Sequence, residues 1–186
     1  MYSEKQSVSF GEIVKTMGSP LVVEGHYQNH EIGPQASMCA QMAEVEIDSE
    51  SGEIKLRRFV SVHHTGKVLN PLLHDGQIDG SIAMGVGYAL TEELLFADGG
   101  VTTLHFGDYK IPTTRDVPRL DKIIIESSAG RGPYNSMSIG ETPIITVAPA
   151  IANAIHDASG ARIKSLPITA EKVFEERRNS LRKNSS

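Results

Sequence analysis

The residue with the clearest capacity for chemistry is Glu141, a carboxylate placed where a turn-rich loop meets a predicted helix. Thr142 is a favoured N-cap residue, and Pro143 suits the first helical position because its missing N–H costs nothing there. This helix is predicted to extend to Ala158 and to end at Gly160. Apolar residues between 144 and 155 fall on every side of it, which predicts that it is buried. Gly140 allows another backbone or a ligand to approach closely. Burial raises the pKa of a carboxylate, whereas a helix N-terminus lowers it. We therefore interpret Glu141 as a group whose protonation can be tuned. The alternative is an ordinary acidic residue at the start of a helix.

A second candidate is Gln77, which lies in a long predicted helix that begins at Asn70 and extends to about Leu95. Small residues recur in this helix at helical spacing: Gly76, Gly80, Ala83 and Gly87. A glycine costs roughly 1 kcal/mol relative to alanine in a helix interior, so several of them indicate close approach of another backbone or a large ligand. The Gln77 amide would offer a donor and an acceptor to whatever lies there; the alternative is a solvated helix residue.

The histidines do not form a recognisable metal motif. His26, His30 and Glu31 lie near one another, but the metalloprotease pattern needs two histidines on one helix, and this segment is predicted to be extended. His63 and His64 are adjacent in a predicted strand, so their rings point to opposite faces. We therefore assign no metal ligand.

Composition favours one globular domain over residues 1–186, or part of a larger one. The chain is 39% hydrophobic and 22% charged, which is typical of a globular domain. A net charge of −5 leaves no basic surface for nucleic acid. The single cysteine, Cys39, fits a reducing compartment. No apolar run has membrane-spanning length and the N-terminus does not resemble a signal peptide, so we expect a cytoplasmic protein with no membrane partner.

The elements that must position Glu141 and Gln77 follow from the periodicity of apolar residues. Strands are predicted at 21–27, 38–47, 54–62, 102–111, 122–126 and 162–166, of which 122–126 is short and buried. A turn is predicted at 98–100. Two of them, 38–47 and 54–62, flank the turn 48–52 and form a hairpin. Ser9 and Glu12 predict a capping box that opens a short helix, and Thr169 caps the last helix. The predicted fold class is α+β, with mixed or antiparallel strands packed against two buried helices.

The order of several short motifs resembles one family. These motifs are Asn70-Pro71, Gly76-Gln77-Ile-Asp-Gly80, Gly87-Tyr-Ala-Leu-Thr-Glu-Glu93, Asp108-Tyr-Lys-Ile-Pro112, Asp116-Val-Pro118, Gly132-Pro-Tyr134, Gly140-Glu141 and Ala148-Pro-Ala-Ile-Ala-Asn-Ala-Ile155. The set is similar to the C-terminal end of the molybdopterin-binding subunit of the molybdenum hydroxylases, the xanthine dehydrogenase/aldehyde oxidase family. Each motif alone is weak, but their order is highly specific and runs from about Leu21 to Val173.

The resemblance implies roles for the candidate residues. The glutamate of the family's Gly-Glu-Pro-Pro motif is the catalytic base, which implies that role for Glu141. The glutamine of the Gly-Gln-x-x-Gly motif contacts the oxo face of molybdenum, which implies that Gln77 binds cofactor, with Gly140 beside it. Two departures stand out: Thr142 replaces a proline, and the loop that usually reads Gly-Ala-Lys-Gly is Asn-Ser-Met-Ser at 135–138, with a less permissive backbone.

The function implied is that of a molybdopterin-dependent oxidoreductase that hydroxylates an electron-poor carbon of a heterocycle or aldehyde with water. The cofactor expected is molybdenum–molybdopterin, with a cytosine dinucleotide form as one option; iron–sulfur clusters and FAD are expected only on partner subunits. The family's molybdenum subunit is several times longer, so we expect either a separately encoded piece of a split subunit or a truncated one. In either case the remaining molybdopterin-binding polypeptide would complete the site, and the isolated chain would self-associate through its uncovered apolar surface.

Two other functions stay open. The chain could be a non-catalytic binding or assembly module, or a relic, that keeps the fold without metal. It could also be a hydrolase that uses Glu141 with a histidine, which only the seven histidines favour. Molybdenum and pterin in an intact complex would distinguish the oxidoreductase from the module.

Overall fold

The computed structural model describes residues 7–29 and 35–184. The chain divides into two compact units, Met1–His30 and Glu31–Ser186. The single domain over residues 1–186 stays a prediction.

Among residues 7–29 of the first unit, the structure shows one helix, α1 (Phe10–Met17). Its predicted capping box is confirmed: Ser9 Oγ accepts the Glu12 N–H at 3.2 Å, and Glu12 Oε2 accepts the Ser9 N–H at 3.0 Å. The strand predicted at 21–27 is wrong, because residues 19–29 are irregular and exposed. An alternating segment becomes a strand only where another strand pairs with it, and the described part of this unit provides none. His26 is exposed, whereas His30 and Glu31 lie outside the described residues.

The second unit begins with the predicted hairpin, which is confirmed. Strands β1 (Met38–Ile47) and β2 (Ile54–Thr65) pair antiparallel, with Ile47 opposite Ile54 at the turn. Asp48 Oδ1 accepts hydrogen bonds from two backbone N–H groups of the turn, at 2.9 and 2.8 Å. Hydrogen bonding of this kind to its own turn is what makes aspartate a turn former.

Helix α2 (Pro71–Leu90) starts as predicted but ends earlier. Asn70 Oδ1 accepts the N–H of Leu73 at 3.1 Å and so caps the first turn. At the other end, the N–H groups of Thr91 and Glu92 both donate to Gly87 O at 2.8 Å, and the bond from Glu92 spans five residues, as at a helix C-terminus. The helix therefore stops short of the predicted Leu95. A small hairpin follows: β3 (Phe96–Ala97) and β4 (Gly100–Val101), joined by the predicted turn.

Strand β5 (Arg119–Glu126) pairs parallel to β2, with Arg119 opposite Arg58, giving the order β1-β2-β5. The strand was expected to be buried, and this is wrong. Ile123 and Ile125 are each 51% exposed, because β5 forms an edge of the described sheet.

Helix α4 (Val147–Ser159) packs against β1 and against α2, and α5 (Ala170–Asn184) ends the described chain. The predicted stop at Gly160 is confirmed by its left-handed backbone, φ 75°. Thr169 Oγ1 accepts the N–H of Lys172 at 3.3 Å, as the predicted cap requires. The core comprises Phe59, Ile78, Ile82, Val86, Ala89, Val147, Ala148, Ile151, Ile155, Ala161, Ile168 and Val173.

The α+β class is confirmed, with two corrections. Neither α2 nor α4 is buried all round: Leu72 and Leu73 in the first turn of α2 are exposed, as are Pro149 and Asn153 on α4. The strands predicted at 102–111 and 162–166 are wrong. Both segments are irregular or turns, and in the first of them His105 O accepts the backbone N–H groups of Asp108 and Tyr109, which closes a local turn. Across the described residues, no helix is both long and apolar enough to cross a membrane.

Candidate functional site

The structure brings the three predicted site residues together. Gln77 Nε2 donates a hydrogen bond to Gly140 O at 3.3 Å, across 63 positions of sequence, and Glu141 follows immediately. All three residues are exposed. Gln77 lies in the second turn of α2, so the helix that carries the amide also holds the loop that carries the carboxylate.

Glu141 is itself the residue before helix α3 (Thr142–Ile145). Its carbonyl accepts the N–H of Ile144 at 3.2 Å, and its side chain makes no capping hydrogen bond. This corrects the expected cap by one position: Thr142 is the first helical residue and Pro143 the second, still within the turn that lacks N–H partners. The expected burial is also wrong, because the carboxylate is exposed and has no hydrogen-bond or ion-pair partner among the described residues.

A break in the helical backbone separates α3 from α4 and orients the turn that carries Glu141. Thr146, with φ −101° and ψ 5°, ends α3 and precedes α4. α3 has little packing of its own: Pro143 is buried, but Ile145 is 65% exposed. The predicted single helix from 142 to 158 is therefore two helices.

The glycines of α2 serve two different purposes. A Cβ at Gly85 would meet the Val147 side chain at 2.5 Å, so the backbone of α2 approaches α4 there. A Cβ at Gly87 would collide with Glu92. At Gly76 and Gly80, in contrast, a Cβ would meet no atom within 4 Å. Close approach within the chain thus explains Gly85 and Gly87, while the turns around Gln77 present an open face.

The loop that leads to Gly140 is shaped around one carbonyl. Asn135 O accepts the N–H of Lys67 at 2.8 Å, and a Cβ at either Gly66 or Gly130 would collide with this oxygen. Tyr134 and Asn135 both have positive φ, 57° and 62°. Asparagine tolerates this conformation, and two glycines from neighbouring segments leave room for it. The loop therefore reaches its shape without the glycines that the family usually has there.

An open groove runs beside Gln77 along the start of α2. It is lined by Lys67, Leu69, Asn70, Leu73, His74, Ser136, Met137, Ile139 and Gly140. His74 lies three residues before Gln77, and burial is the main cause that lowers the pKa of its imidazole. Lys67 Nζ forms an ion pair with Glu126 Oε2 at 2.7 Å, and this hydrogen bond lowers the pKa of Glu126. The groove therefore has a charged rim and a half-buried histidine near the amide.

Behind the site lies a buried polar network that the sequence interpretation missed. Gln41 Nε2 donates to Ser61 Oγ at 2.8 Å and to Pro143 O at 2.7 Å. Thr146 Oγ1 donates to Gln41 Oε1 at 2.7 Å, and Ser61 Oγ lies 2.6 Å from His63 Nε2. One signal could have revealed it: polar residues at inward positions of two alternating strands, where apolar ones are expected.

The histidine pair on β2 lies as predicted, with His63 fully buried and His64 half-buried on the opposite face. Among the described residues, no group of three His, Cys, Asp or Glu side chains could hold a metal ion. The described part of the chain therefore contributes no metal-ligand set of the kind those residues form.

The sequence profile of the molybdopterin cofactor-binding domain matches residues 1–118. The chain belongs to this family. Gln77 lies within the matched residues, whereas Gly140 and Glu141 lie beyond them. The predicted resemblance to the molybdenum-binding subunits of the xanthine dehydrogenase/aldehyde oxidase family is confirmed.

The relatives of this chain are much longer than the chain itself. The xanthine dehydrogenase molybdenum-binding subunit of Escherichia coli O157:H7 is 38% identical over 145 residues, which are 77% of this chain and 19% of the relative. The aldehyde oxidoreductase molybdenum-binding subunit of Escherichia coli K12 is 32% identical over 144 residues, 76% of this chain and 20% of the relative. Among solved structures, quinoline 2-oxidoreductase from Pseudomonas putida 86 matches with a TM-score of 0.68 and 33% identity, over 72% of this chain and 18% of that one. The chain thus spans about a fifth of the length of these relatives.

Proposed function

We propose that this chain supplies the catalytic base and cofactor contacts of a molybdenum-dependent hydroxylase whose site another polypeptide completes. The observation that carries the proposal is the hydrogen bond between Gln77 and Gly140, which places the Gln77 amide against the residue that directly precedes Glu141. Family membership supports molybdopterin as the cofactor. The site residues, the reaction and the split of the subunit are our proposals.

The residues around Gln77 fit a large flat group such as a pterin. Gly76, Gly80 and Gly140 leave open space where side chains would otherwise stand. Gln77 uses its Nε2 toward Gly140 and makes no other hydrogen bond to a described residue, so its Oε1 can accept one from a ligand. Gln77 and Gly140 would hold the cofactor in this arrangement, and the metal would need ligands from the cofactor itself.

The reaction proposed converts R–H and water into R–OH, two protons and two electrons. The molybdenum cofactor, when bound, supplies the two-electron oxidation. Glu141 accepts the proton of the attacking oxygen, because its carboxylate has no partner within the described chain that would compete for that role. Gln77 orients the cofactor through its amide, and Gly140 keeps the approach to both residues open. Iron–sulfur clusters and FAD on partner subunits or domains would take up the two electrons.

Exposed apolar residues support the proposal that another polypeptide covers this chain. Leu72 and Leu73 at the start of α2 are 82% and 69% exposed, and the edge strand β5 exposes two isoleucines. Apolar surface of this kind is usually covered by a partner. In the isolated chain it would instead drive self-association. A cytosine dinucleotide on the pterin and a cytoplasmic location stay predictions.

The test is Glu141→Gln in the complex of this chain with the remaining molybdenum-binding polypeptide. Glutamine keeps the shape but accepts no proton as a carboxylate does, so turnover should fall by about 10²–10⁴-fold. Molybdenum and pterin contents should stay at the parent level. The fold should lose at most about 0.3–1 kcal/mol of helix-end electrostatics, since the Glu141 side chain makes no cap.

Two companion variants make the result specific. Gln77→Ala should slow turnover with little change in melting temperature, because the amide is exposed and α2 does not depend on it. Glu50→Gln removes an exposed carboxylate in the hairpin turn and should leave turnover unchanged. Activity of Glu141→Gln within a few-fold of the parent would exclude the base role. An intact complex without molybdenum and pterin would favour the non-catalytic module. The hydrolase gains no support, as no described histidine hydrogen-bonds to Glu141.

A further inference from the structure

We infer that Gln41 is a positioning residue, whose amide fixes the turn that carries Glu141 to the β1–β2 hairpin. The inference rests on the proposed role of Glu141 as base. It assigns a function to a half-buried glutamine that lies 100 positions before Glu141 in sequence (41 to 141) and does not reach the reacting atoms.

The orientation of the Gln41 amide follows from its partners. Pro143 O is a carbonyl and can only accept, so the group that faces it at 2.7 Å is Nε2. The second N–H of Nε2 goes to Ser61 Oγ at 2.8 Å, and Oε1 accepts the hydroxyl of Thr146 at 2.7 Å. The three hydrogen bonds therefore fix the orientation of the amide, because a flipped amide would place Oε1 against Pro143 O, and both are acceptors.

These bonds hold both ends of α3. Pro143 stands in its first turn, and Thr146 is the break that ends it. Carbonyls at the C-terminal end of a helix lack intrahelical partners, and in a helix as short as α3 the Gln41 amide supplies one for Pro143 O. Cys39 on β1 adds a third tie, with Sγ 3.4 Å from Thr142 O and 3.2 Å from Thr146 Oγ1.

The two residues of the network that lie beyond Gln41, Ser61 and His63, are held in place by burial. Ser61 and His63 are both 0% exposed. Ser61 Oγ accepts from Gln41 and lies 2.6 Å from His63 Nε2. Burial chiefly, and the nearby His74, lower the pKa of His63, so its imidazole is neutral near pH 7 and can accept the serine hydroxyl. A neutral histidine acceptor thereby fixes the serine, and the serine fixes the glutamine.

Hydrogen bonds are important for the position of the Glu141 turn because few apolar side chains pack there. Of the α3 residues only Pro143 is buried. The chain just before Glu141 is held from outside by Gln77, through Gly140, and the chain just after it is held from inside by Gln41, through Pro143. Without the Gln41 hydrogen bonds, the described side chains that still hold the turn after Glu141 would be Cys39 and Tyr88, whose Oη donates to Ile144 O at 3.0 Å. The carboxylate would then sample positions away from the cofactor face.

The experiment measures hydrogen exchange of the segment 141–146 together with turnover, in the complex with the remaining polypeptide. Gln41→Leu removes all three amide hydrogen bonds, and Thr146→Val removes one hydroxyl while keeping the shape. For both variants, exchange of this segment should rise about ten-fold or more. The kcat should fall at least ten-fold with KM within two-fold, because substrate binding is unchanged and only the base is misplaced.

Two variants serve as controls. Thr146→Ser keeps the hydroxyl and should restore parent exchange and kcat. Gln35→Leu removes an exposed glutamine that donates to Ala129 O at 3.1 Å on the preceding loop, and it should change neither quantity.

Three outcomes would overturn the inference: parent exchange in 141–146 for Gln41→Leu, a rise of equal size over the whole chain, or faster local exchange with unchanged kcat. If Gln41→Leu does not fold, Thr146→Val decides on the same criteria. An active Glu141→Gln variant would exclude the base role, whereas local exchange would still report whether Gln41 holds the turn. The two failures are therefore distinguishable.

Discussion

Replacement of Gly80 by alanine should stabilise the isolated chain, whereas the same replacement at Gly85 should destabilise it. Both glycines lie inside α2, so the gain in helix propensity is the same at the two positions. Their surroundings differ. A Cβ at Gly80 meets nothing within 4 Å, while one at Gly85 would lie 2.5 to 2.7 Å from three atoms of the Val147 side chain. The contact with α4 alone therefore decides whether the alanine raises or lowers stability.

The expected magnitudes follow from these contacts. Alanine in place of glycine in a helix interior stabilises by about 0.8–1.0 kcal/mol, which should raise the melting temperature of Gly80→Ala by roughly 2–4 °C. At Gly85 the new methyl lies far inside the normal contact distance of a buried side chain. Overpacking of this kind costs about 1–3 kcal/mol, and the upper end applies because three atoms collide. After the propensity gain, Gly85→Ala should lose about 2 kcal/mol and roughly 4–8 °C.

Thermal and urea denaturation of the parent and the two variants measure this difference, with Gly76→Ala as a second open position that should behave like Gly80→Ala. Loss of stability in Gly80→Ala comparable with that in Gly85→Ala would refute the assignment of an open face. In the assembled complex the gain should turn into a defect. There the Gly80 methyl would face the cofactor or the remaining polypeptide, and molybdenum and pterin contents should fall below the parent values.

Two further predictions concern charged groups. Lys122→Met should lower the free energy of unfolding by about 1–2 kcal/mol, since Lys122 Nζ lies 2.8 Å from both Asp75 and Asp79, and its loss leaves two like charges one turn apart on α2; an unchanged urea midpoint would contradict this. Burial first, and His74 second, lower the pKa of His63, so the unfolded chain binds more protons below its ordinary value of about 6.5. Stability should therefore fall as the pH is lowered below about 6.5, with a smaller fall in His63→Gln. An equal fall in the urea midpoints of parent and variant would exclude His63 as the cause.

The sequence predicted elements whose signals are local. The Ser9–Glu12 capping box, the Asp48 turn and the stop at Gly160 each depend on residues within one turn of chain, and all are present. The hairpin was predictable for the same reason, because alternation and turn chemistry agree. The failed strands had apolar residues but no partner strand, which local periodicity cannot reveal.

Distant contacts account for the rest of the site. The break at Thr146 depends on Cys39 and Gln41, which lie more than a hundred positions away, so a run of apolar residues predicted one helix instead of two. Gln77 and Glu141 could be named from motifs, yet their adjacency required the fold. The exposure of Glu141 was missed because the burial of α4 was extrapolated to its start.

The two strand pairings of the main sheet differ greatly in the length of chain between the paired residues. In the antiparallel hairpin, Ile47 pairs with Ile54, seven positions later; in the parallel pairing of β2 with β5, Arg58 pairs with Arg119, 61 positions later. Because the free-energy cost of closing a loop grows as 1.5 RT times the logarithm of its length, the first contact of the parallel pairing costs roughly 2 kcal/mol more than that of the hairpin. We therefore expect the hairpin to form first and β5 to join later, once α2 has shortened the intervening path.

Until β5 arrives, one edge of β2 is unpaired beside an incomplete apolar core. Open edges of this kind pair with other chains, so the interval before β5 docks is the period in which misassembly competes with folding. Lys122 of β5 forms ion pairs with two aspartates of α2. We therefore expect these ion pairs to shorten the interval, and so to limit aggregation as well as stabilise the final structure.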